Sequence, residues 1–376
     1  MTSTERLAAL DAAMHEADPS SLKAGERLRA RFAPDDVAWA LTQAGLRRKG
    51  GAKFERAGEM LFTPAGLEQA SREPVARWRA ERFVAAGVTE VWDLGCGIGA
   101  DAMAFAAAGL RVVGVELDAE TAAVAQHNLN LVGGGEVIVG AAEDVEVPRG
   151  AAVFLDPARR TARGRTWNVA DFTPSWDFVL GHLASERFVG VKLGPGVPKE
   201  LIPGGVQSCF VSHRGDVVEA SLWNRLPAGP RAVVLDGTGQ LELTAEGRRQ
   251  LEARPVGSYV LEPDGAVIRA GLIDAVEPGR DLWLLDPHVA YLSCDEPVKS
   301  PYVTCFEVLE VLDHDVKRLR SWVREHAVGT LEIKKRGIEV DPAALRRQLK
   351  PKGPGAATLI LARTVEGTRA LVCRRI

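Results

Sequence analysis

The residues with the most chemistry in them lie between Val91 and Asp118. An apolar run, Val91-Trp-Asp-Leu94, enters a turn containing Gly95, Gly97 and Gly99, and a second apolar run ends on Glu116. Glycine lets a backbone turn sharply and approach a ligand with no Cβ in the way. An acidic residue closing the next strand can accept hydrogen bonds from both ribose hydroxyls of a nucleoside. Open α/β sheets bind ligands at that edge. The pattern implies a nucleoside cofactor.

Gly95, Gly97 and Ala100 also satisfy G-x-G-x-x-G/A, so the glycines alone leave a dinucleotide open. Three features favour S-adenosylmethionine. Asp93, two residues before the first glycine, suits a cationic amino group better than a pyrophosphate. Asp156-Pro157 ends a fourth apolar run, where a carboxylate would face a methyl acceptor. Val206–His213 and Val217–Trp223 alternate like two strands joined by Arg214-Gly215-Asp216. A terminal antiparallel hairpin does not belong to a second mononucleotide half.

Positioning these residues requires strands alternating with helices. Strands are expected at 88–94, 111–117, 136–140, 151–156 and 188–193, with helices at 99–108, 119–131 and about 174–184. Such alternation argues for a parallel sheet covered on both faces. Ahead of it, residues 1 to about 80 read as helices. Thr63-Pro64 opens one of them as N-cap and first-turn proline, with Pro74 as a point of interruption. Leu226-Pro-Ala-Gly-Pro230 marks a boundary. A hairpin over Ala232–Leu243 and a small α+β region to about 305 follow. The last seventy residues read strand, helix, strand, helix, strand, strand.

At 376 residues the chain should hold about two or three domains. Its 46% hydrophobic and 26% charged residues are ordinary for a globular core. No apolar run approaches the ~20 residues of a membrane span, and the N-terminus lacks signal-peptide order. Five scattered cysteines suggest neither a disulfide framework nor a zinc site. A cytoplasmic protein without metal is expected; oligomeric state is not legible. The net charge of −3 hides asymmetry: residues 331–376 hold eleven basic against four acidic residues, a balance of +7. A second basic cluster, Arg47-Arg48-Lys49-Gly50-Gly51-Ala52-Lys53, lies near the N-terminus. Clustered basic charge is the footprint expected for nucleic acid, and an evenly solvated surface is the competing reading.

With Asp93–Asp101 and Asp156-Pro-Ala-Arg159 in view, the chain resembles class I S-adenosylmethionine-dependent methyltransferases. More narrowly, it is similar to the bacterial group with a C-terminal THUMP-like domain. Leu331-Glu-Ile-Lys-Lys-Arg-Gly337, Asp341-Pro342 and Ala357–Arg363 carry that likeness. Leu61–Ala70 resembles the helical lead-in of this group and, more distantly, of RNA cap guanine-N2 methyltransferases. The resemblance implies an α/β fold with a Rossmann-like seven-stranded sheet. Its expected divisions are an N-terminal helical region (1–82), a methyltransferase domain (83–226), a small ferredoxin-like α+β region (230–305) and a THUMP-like domain (306–376).

Carried over by position, Asp93 would approach the methionine amino group, and Gly95, Cys96, Gly97, Gly99 and Asp101 would line that side. Glu116 would hold the ribose hydroxyls, with Leu117 on the adenine face. Family members often carry an aspartate near the adenine amino group; here alanines stand at that position, leaving Glu143 or Asp144. Enzymes that methylate exocyclic amines commonly show Asn or Asp, then Pro-Pro, then an aromatic. Here Asp156, Pro157 and Arg159 remain as catalytic candidates, but Ala158 and Arg159 replace the second proline and the aromatic. Stacking would then come from Trp167, Phe172 or Trp176, in a loop rich in arginine (Arg160, Arg163, Arg165), or from Arg159 itself. Asp-Pro followed by Arg is also similar to RNA uracil-C5 methyltransferases, which need a nucleophilic cysteine. Cys209 reads as a core thiol instead.

The expected function is methylation of a nitrogen on an RNA base, in tRNA or rRNA. Lys334, Lys335, Arg336, Arg346 and Arg347 are the RNA-contact candidates, helped by Arg47, Arg48 and Lys49. Two other readings stay open: a methyltransferase for a small molecule or protein, and a non-catalytic RNA-binding protein that keeps the fold.

Overall fold

The computed structural model describes residues 4–159, 167–237, 239–246 and 248–376. They form two compact units, one of Met1–Gln207 with Ser221–Ala228, the other of Ser208–Ala220 with Gly229–Ile376.

The first unit opens with helices α1 (Thr4–Met14), α2 (Leu22–Arg29), α3 (Pro34–Gly50), α4 (Pro64–Gln69) and α5 (Glu73–Ala85). Thr63 caps α4 by accepting the Gly66 amide, which satisfies one of the donors that a helix start leaves open. Helix α4 ends where Ala70 leaves helical geometry, and Pro74 fits the first turn of α5, where its missing amide hydrogen costs nothing. Leu10, Val37, Ala40, Met60 and Phe62 bury together with Ile98 and Val124, so the N-terminal helices rest on the segment after the glycine turn.

That turn lies in a sheet built from β1 (Glu90–Leu94), β2 (Arg111–Glu116), β3 (Glu136–Val139), β4 (Ala152–Leu155) and β5 (Val189–Leu193). Helices α6 (Ala100–Ala107), α7 (Ala119–Asn130) and α8 (Trp176–Leu183) make the crossovers. All four recorded pairings among these strands are parallel, with Val91 opposite both Val112 and Ala152. Two further strands, β6 (Gln207–His213) and β7 (Asp216–Trp223), form the terminal hairpin. Arg214 and Gly215 both take positive φ, 55° and 83°, the geometry of a tight hairpin turn. The sheet order is β6-β7-β5-β4-β1-β2-β3, the seven strands expected, with most of the β6–β7 hairpin counted in the second unit. Phe83 packs edge-on to Phe105, Phe154, Phe188 and Trp223, with centroids 5.0–6.4 Å apart. This aromatic cluster fixes α5 against the sheet.

In the second unit, β8 (Gly229–Asp236) neighbours β6 and pairs with β9 (Gly239–Leu243). A second sheet holds β10 (Tyr259–Pro263), β11 (Trp283–Asp286), β12 (Val289–Cys294), β13 (Val303–Asp313), β14 (Val328–Arg336), β15 (Gly355–Thr364) and β16 (Gly367–Arg375), in the order β11-β12-β10-β13-β16-β15-β14. Helix α9 (Gly265–Ala270) follows β10, while α10 (Val316–Glu325) and α11 (Pro342–Leu349) give the expected βαβαββ ending. Only the β14–β15 pair is parallel among those recorded for this sheet, and α11 is the crossover such a pair needs. Both faces of β15 are buried. Leu359 and Leu361 meet Leu319, Val323, Leu345 and Leu349 of the helices, and Ile360 and Ala362 meet Tyr291 and Phe306. Among the described residues no helix is long and apolar enough to cross a membrane, and no group of three His, Cys, Asp or Glu could hold a metal.

Candidate active site

The glycine turn is built by where β1 ends. The Gly95 and Cys96 amides donate to the Val115 carbonyl at 2.8 and 3.0 Å, which ties the turn to β2. Gly95 and Gly99 then hold φ of +89° and +80°, which a side chain would resist. Glu116, at the end of β2, accepts the Gly97 amide on Oε2 and the Asp118 amide on Oε1, each at 3.0 Å. Its carboxylate is thereby fixed over the turn, leaving lone pairs for a ligand.

These residues line a pocket of about 310 Å³ at the carboxyl edge of the sheet. Gly95, Cys96, Gly97, Asp101, Glu116 and Leu117 are all on its wall. Leu117 is 58% exposed, an apolar face presented to the opening. Glu143 also lines the pocket, and its Oε1 accepts the Ser175 amide at 3.3 Å. Asp144 is exposed and stands outside the lining. Helix α4 closes one side with Thr63, Gly66 and Gln69. A Cβ on Gly66 would come 2.2 Å from Cγ2 of Ile98, so only glycine lets α4 approach the turn this closely.

Two carboxylates behind the pocket differ in their partners. Asp101 is buried and held by the buried Arg79 guanidinium and by the Ser71 hydroxyl, the latter at 2.9 Å. Burial opposes its ionisation, but Arg79 outweighs that and keeps its pKa below the usual carboxylate value. Asp93 is 1% exposed, and neither of its carboxylate oxygens has a hydrogen-bond partner. Burial, with the Asp101 and Asp156 charges nearby, pushes its pKa well up. A buried carboxylate with no partner is costly, and burial accordingly favours the protonated form of Asp93.

Asp156, just past β4, is on the pocket wall and in an ion pair with Lys192 of β5. Pro157 is buried behind it. The backbone of Arg159 pairs with that of Phe172; the Arg159 side chain and Arg160, Arg163 and Arg165 lie outside the described residues. Trp167 packs on Phe172 at 6.0 Å between centroids, and Phe172 on Trp176 at 5.4 Å. Phe172 and Trp176 are buried, and Trp167 is half-buried. All five cysteines are free and buried. Cys209 is 0% exposed, as a core thiol should be.

Sequence reasoning missed two polar residues, Lys192 and Asn128, and read Lys53 only as part of a basic cluster. Lys192 carried no motif. Asn128 of α7 donates to the Leu61 and Ile98 carbonyls at 2.9 and 2.8 Å and accepts the Leu61 amide, stapling the N-terminal segment to the glycine turn. Lys53 donates to the carbonyls of Leu67, Glu68 and Ala70, closing the end of α4. A signal existed only for Lys192, a charged residue inside an apolar strand.

Comparison with known proteins decides what this pocket serves. Residues 303–375 match the family described as THUMP domain-like, residues 92–154 the methyltransferase domain, and residues 4–50 a domain of unknown function. An uncharacterized S-adenosylmethionine-dependent methyltransferase of Mycobacterium tuberculosis, present in two strains, is 35% identical over 366 residues, covering 92% of this chain and 99% of that relative. The chain belongs to the S-adenosylmethionine-dependent methyltransferases. The crystal structure of a putative methyltransferase from Porphyromonas gingivalis W83 shares the fold, with a TM-score of 0.78 at 21% identity over 100% of this chain and 99% of that one. The residues present fit S-adenosylmethionine: the pocket wall offers the fixed Glu116 carboxylate and the exposed Leu117 face, and the buried Asp93 carboxyl lies outside the lining. The cofactor supplies an electrophilic methyl on a sulfonium.

Proposed function

We propose that this methyltransferase modifies a nitrogen of an RNA base, in tRNA or rRNA, in the cytoplasm. One observation carries the reading: the Asp156–Lys192 pair stands on the wall of the cofactor pocket. Asp156 there accepts the N–H of an approaching amine, orients the nitrogen lone pair towards the methyl, and is the nearest acceptor for the proton the nitrogen sheds. Lys192 holds that carboxylate in place, and its ammonium donates to an acceptor atom beside the target nitrogen. Alignment of this kind supplies much of the rate in a direct transfer, because the methyl is already reactive. The THUMP domain-like match over residues 303–375 and the +7 balance of residues 331–376 support RNA as the bearer of that nitrogen. The cluster of Trp167, Phe172 and Trp176 offers aromatic surface for stacking beside the amine.

Mass spectrometry of nucleosides from tRNA and rRNA of a deletion strain is the test. One methylated nucleoside should disappear, return with the wild-type gene, and fall by about 100-fold in initial rate with Asp156→Asn. Full retention of every methylated nucleoside in the deletion strain would refute RNA as the substrate.

A further inference from the structure

In the second unit, several of the cations that the sequence makes conspicuous are held by this chain's own acids and rings. Lys334 pairs with Glu262 at 2.7 Å and lies over the Phe306 ring; Arg336 lies over Tyr291 at 5.1 Å. Arg318 and Arg369 share Asp313, Arg363 pairs with Asp286, and Arg374 with Glu307. In the first unit, Arg47 donates to the Met60 and Glu59 carbonyls and Arg48 to the Ala17 carbonyl. The basic clusters most visible in the sequence are therefore largely committed to this chain's own groups.

Four cations outside those pairs share one groove. A groove of about 550 Å³ runs between α10 and α11, with Lys317, Arg320, Arg347 and Lys350 on its walls and no acidic residue among its lining. All four are exposed. None has a side-chain hydrogen bond or ion pair among the described residues. Lys317 and Arg320 are three apart on α10, and Arg347 and Lys350 three apart along α11 and its cap. Both pairs line the same groove, and the α10 pair shares one helix face, with Cβ atoms about 5–6 Å apart. Like charges so placed repel one another. Helix polarity accounts for only half of them. Arg347 sits in the last turn of α11, where cations are favoured. Lys317 sits in the first turn of α10, where they are disfavoured. The helices bury Leu319, Val323, Leu345 and Leu349 beneath, so these four charges face outward.

We propose that the α10–α11 groove binds the phosphodiester backbone of the RNA. This rests on the RNA reading above and moves its anchor away from Lys334 and Arg336. Two rows of two cations suit an extended anion better than a single phosphate. No aromatic residue lines the groove, so it holds backbone and shape and reads no base.

The test uses the full chain, bulk tRNA labelled for fluorescence anisotropy, and S-adenosylhomocysteine calorimetry. The groove variant is Lys317→Gln with Arg320→Gln, Arg347→Gln and Lys350→Gln. The control is Lys299→Gln with Arg324→Gln and Lys352→Gln, exposed residues outside the groove. The groove variant should lose about 10- to 100-fold in tRNA affinity near 0.1 M salt, and its log–log salt slope should flatten by about 3. The control should lose no more than about threefold, and both should bind S-adenosylhomocysteine like wild type. Unchanged affinity and slope in the groove variant overturn the groove and leave the RNA reading standing. A wild-type chain that binds S-adenosylhomocysteine but no tRNA overturns both. Groove-dependent binding of poly-glutamate as tight as that of tRNA overturns the choice of nucleic acid.

Discussion

Asp93 ties pH to both stability and cofactor binding. Its pKa is raised in the free protein by burial and by neighbouring carboxylates, so the folded state binds its proton more tightly than the unfolded chain does. The resulting stability is fully present below the ordinary carboxylate value of about 3.9 and is lost as pH rises through the raised one. Asp93→Asn should therefore raise the melting temperature of the free enzyme at neutral pH and flatten its pH dependence. The same change should weaken S-adenosylhomocysteine by about 10- to 100-fold, the cost of one charged hydrogen bond. A melting temperature that falls at neutral pH would show that Asp93 is ionised and already satisfied. Legibility at this scale followed distance along the chain. Asp93, the glycines and Glu116 form one local pattern; Gly95, Gly97 and Glu116 line one pocket, while Asp93 and Gly99 lie outside its lining. Lys192 meets Asp156 across 36 residues, and Asn128 meets Leu61 across 67. Nothing in local spacing encodes such pairs.

Helix α4 is six residues long and would be marginal alone. Thr63 fixes its start, Lys53 its end, and Gly66 its distance from the glycine turn. Gly66→Ala sets a methyl against Ile98, and overpacking of that kind costs about 1–3 kcal/mol. Because Ile98 lies inside the turn, the strain should fall on the pocket. We expect S-adenosylhomocysteine affinity to drop about tenfold or more, with a melting temperature only a few degrees lower. Wild-type affinity in calorimetry would mean that α4 yields without moving the turn. Most elements were readable because their patterns are self-contained: the β-α alternation after residue 88 stands within two residues of expectation, and the βαβαββ ending keeps its expected order. Residues 244–300 were not. Tyr259–Pro263 becomes a strand by pairing with residues 303–307, some forty positions later, and propensity alone carries no trace of that partner.

At the scale of the whole chain, five cysteines spread over 278 positions all end inside the protein. Burial pushes the Cys294 thiol up to about 11 and Cys373 up to about 12. Thiolates, not thiols, react with disulfide reagents. The native enzyme should therefore titrate close to zero fast-reacting thiols, and the denatured chain five. A fast-reacting native thiol would reveal an opening absent from this structure. The fold class was legible here because alternation, glycine turn and terminal hairpin agree with one another. The division of the chain was less so, since the units exchange segments around residues 207–229. That interleaving bears on any attempt to shorten the protein. Ending translation at residue 228 would keep Ser208–Ala220 while discarding everything else in its unit. The lost β8 is the neighbour of β6, so the shortened chain would expose the amide and carbonyl groups along one side of a buried apolar strand. Bare strand edges recruit other chains. An inactive, aggregating fragment would then report a raw sheet edge, not a missing RNA anchor.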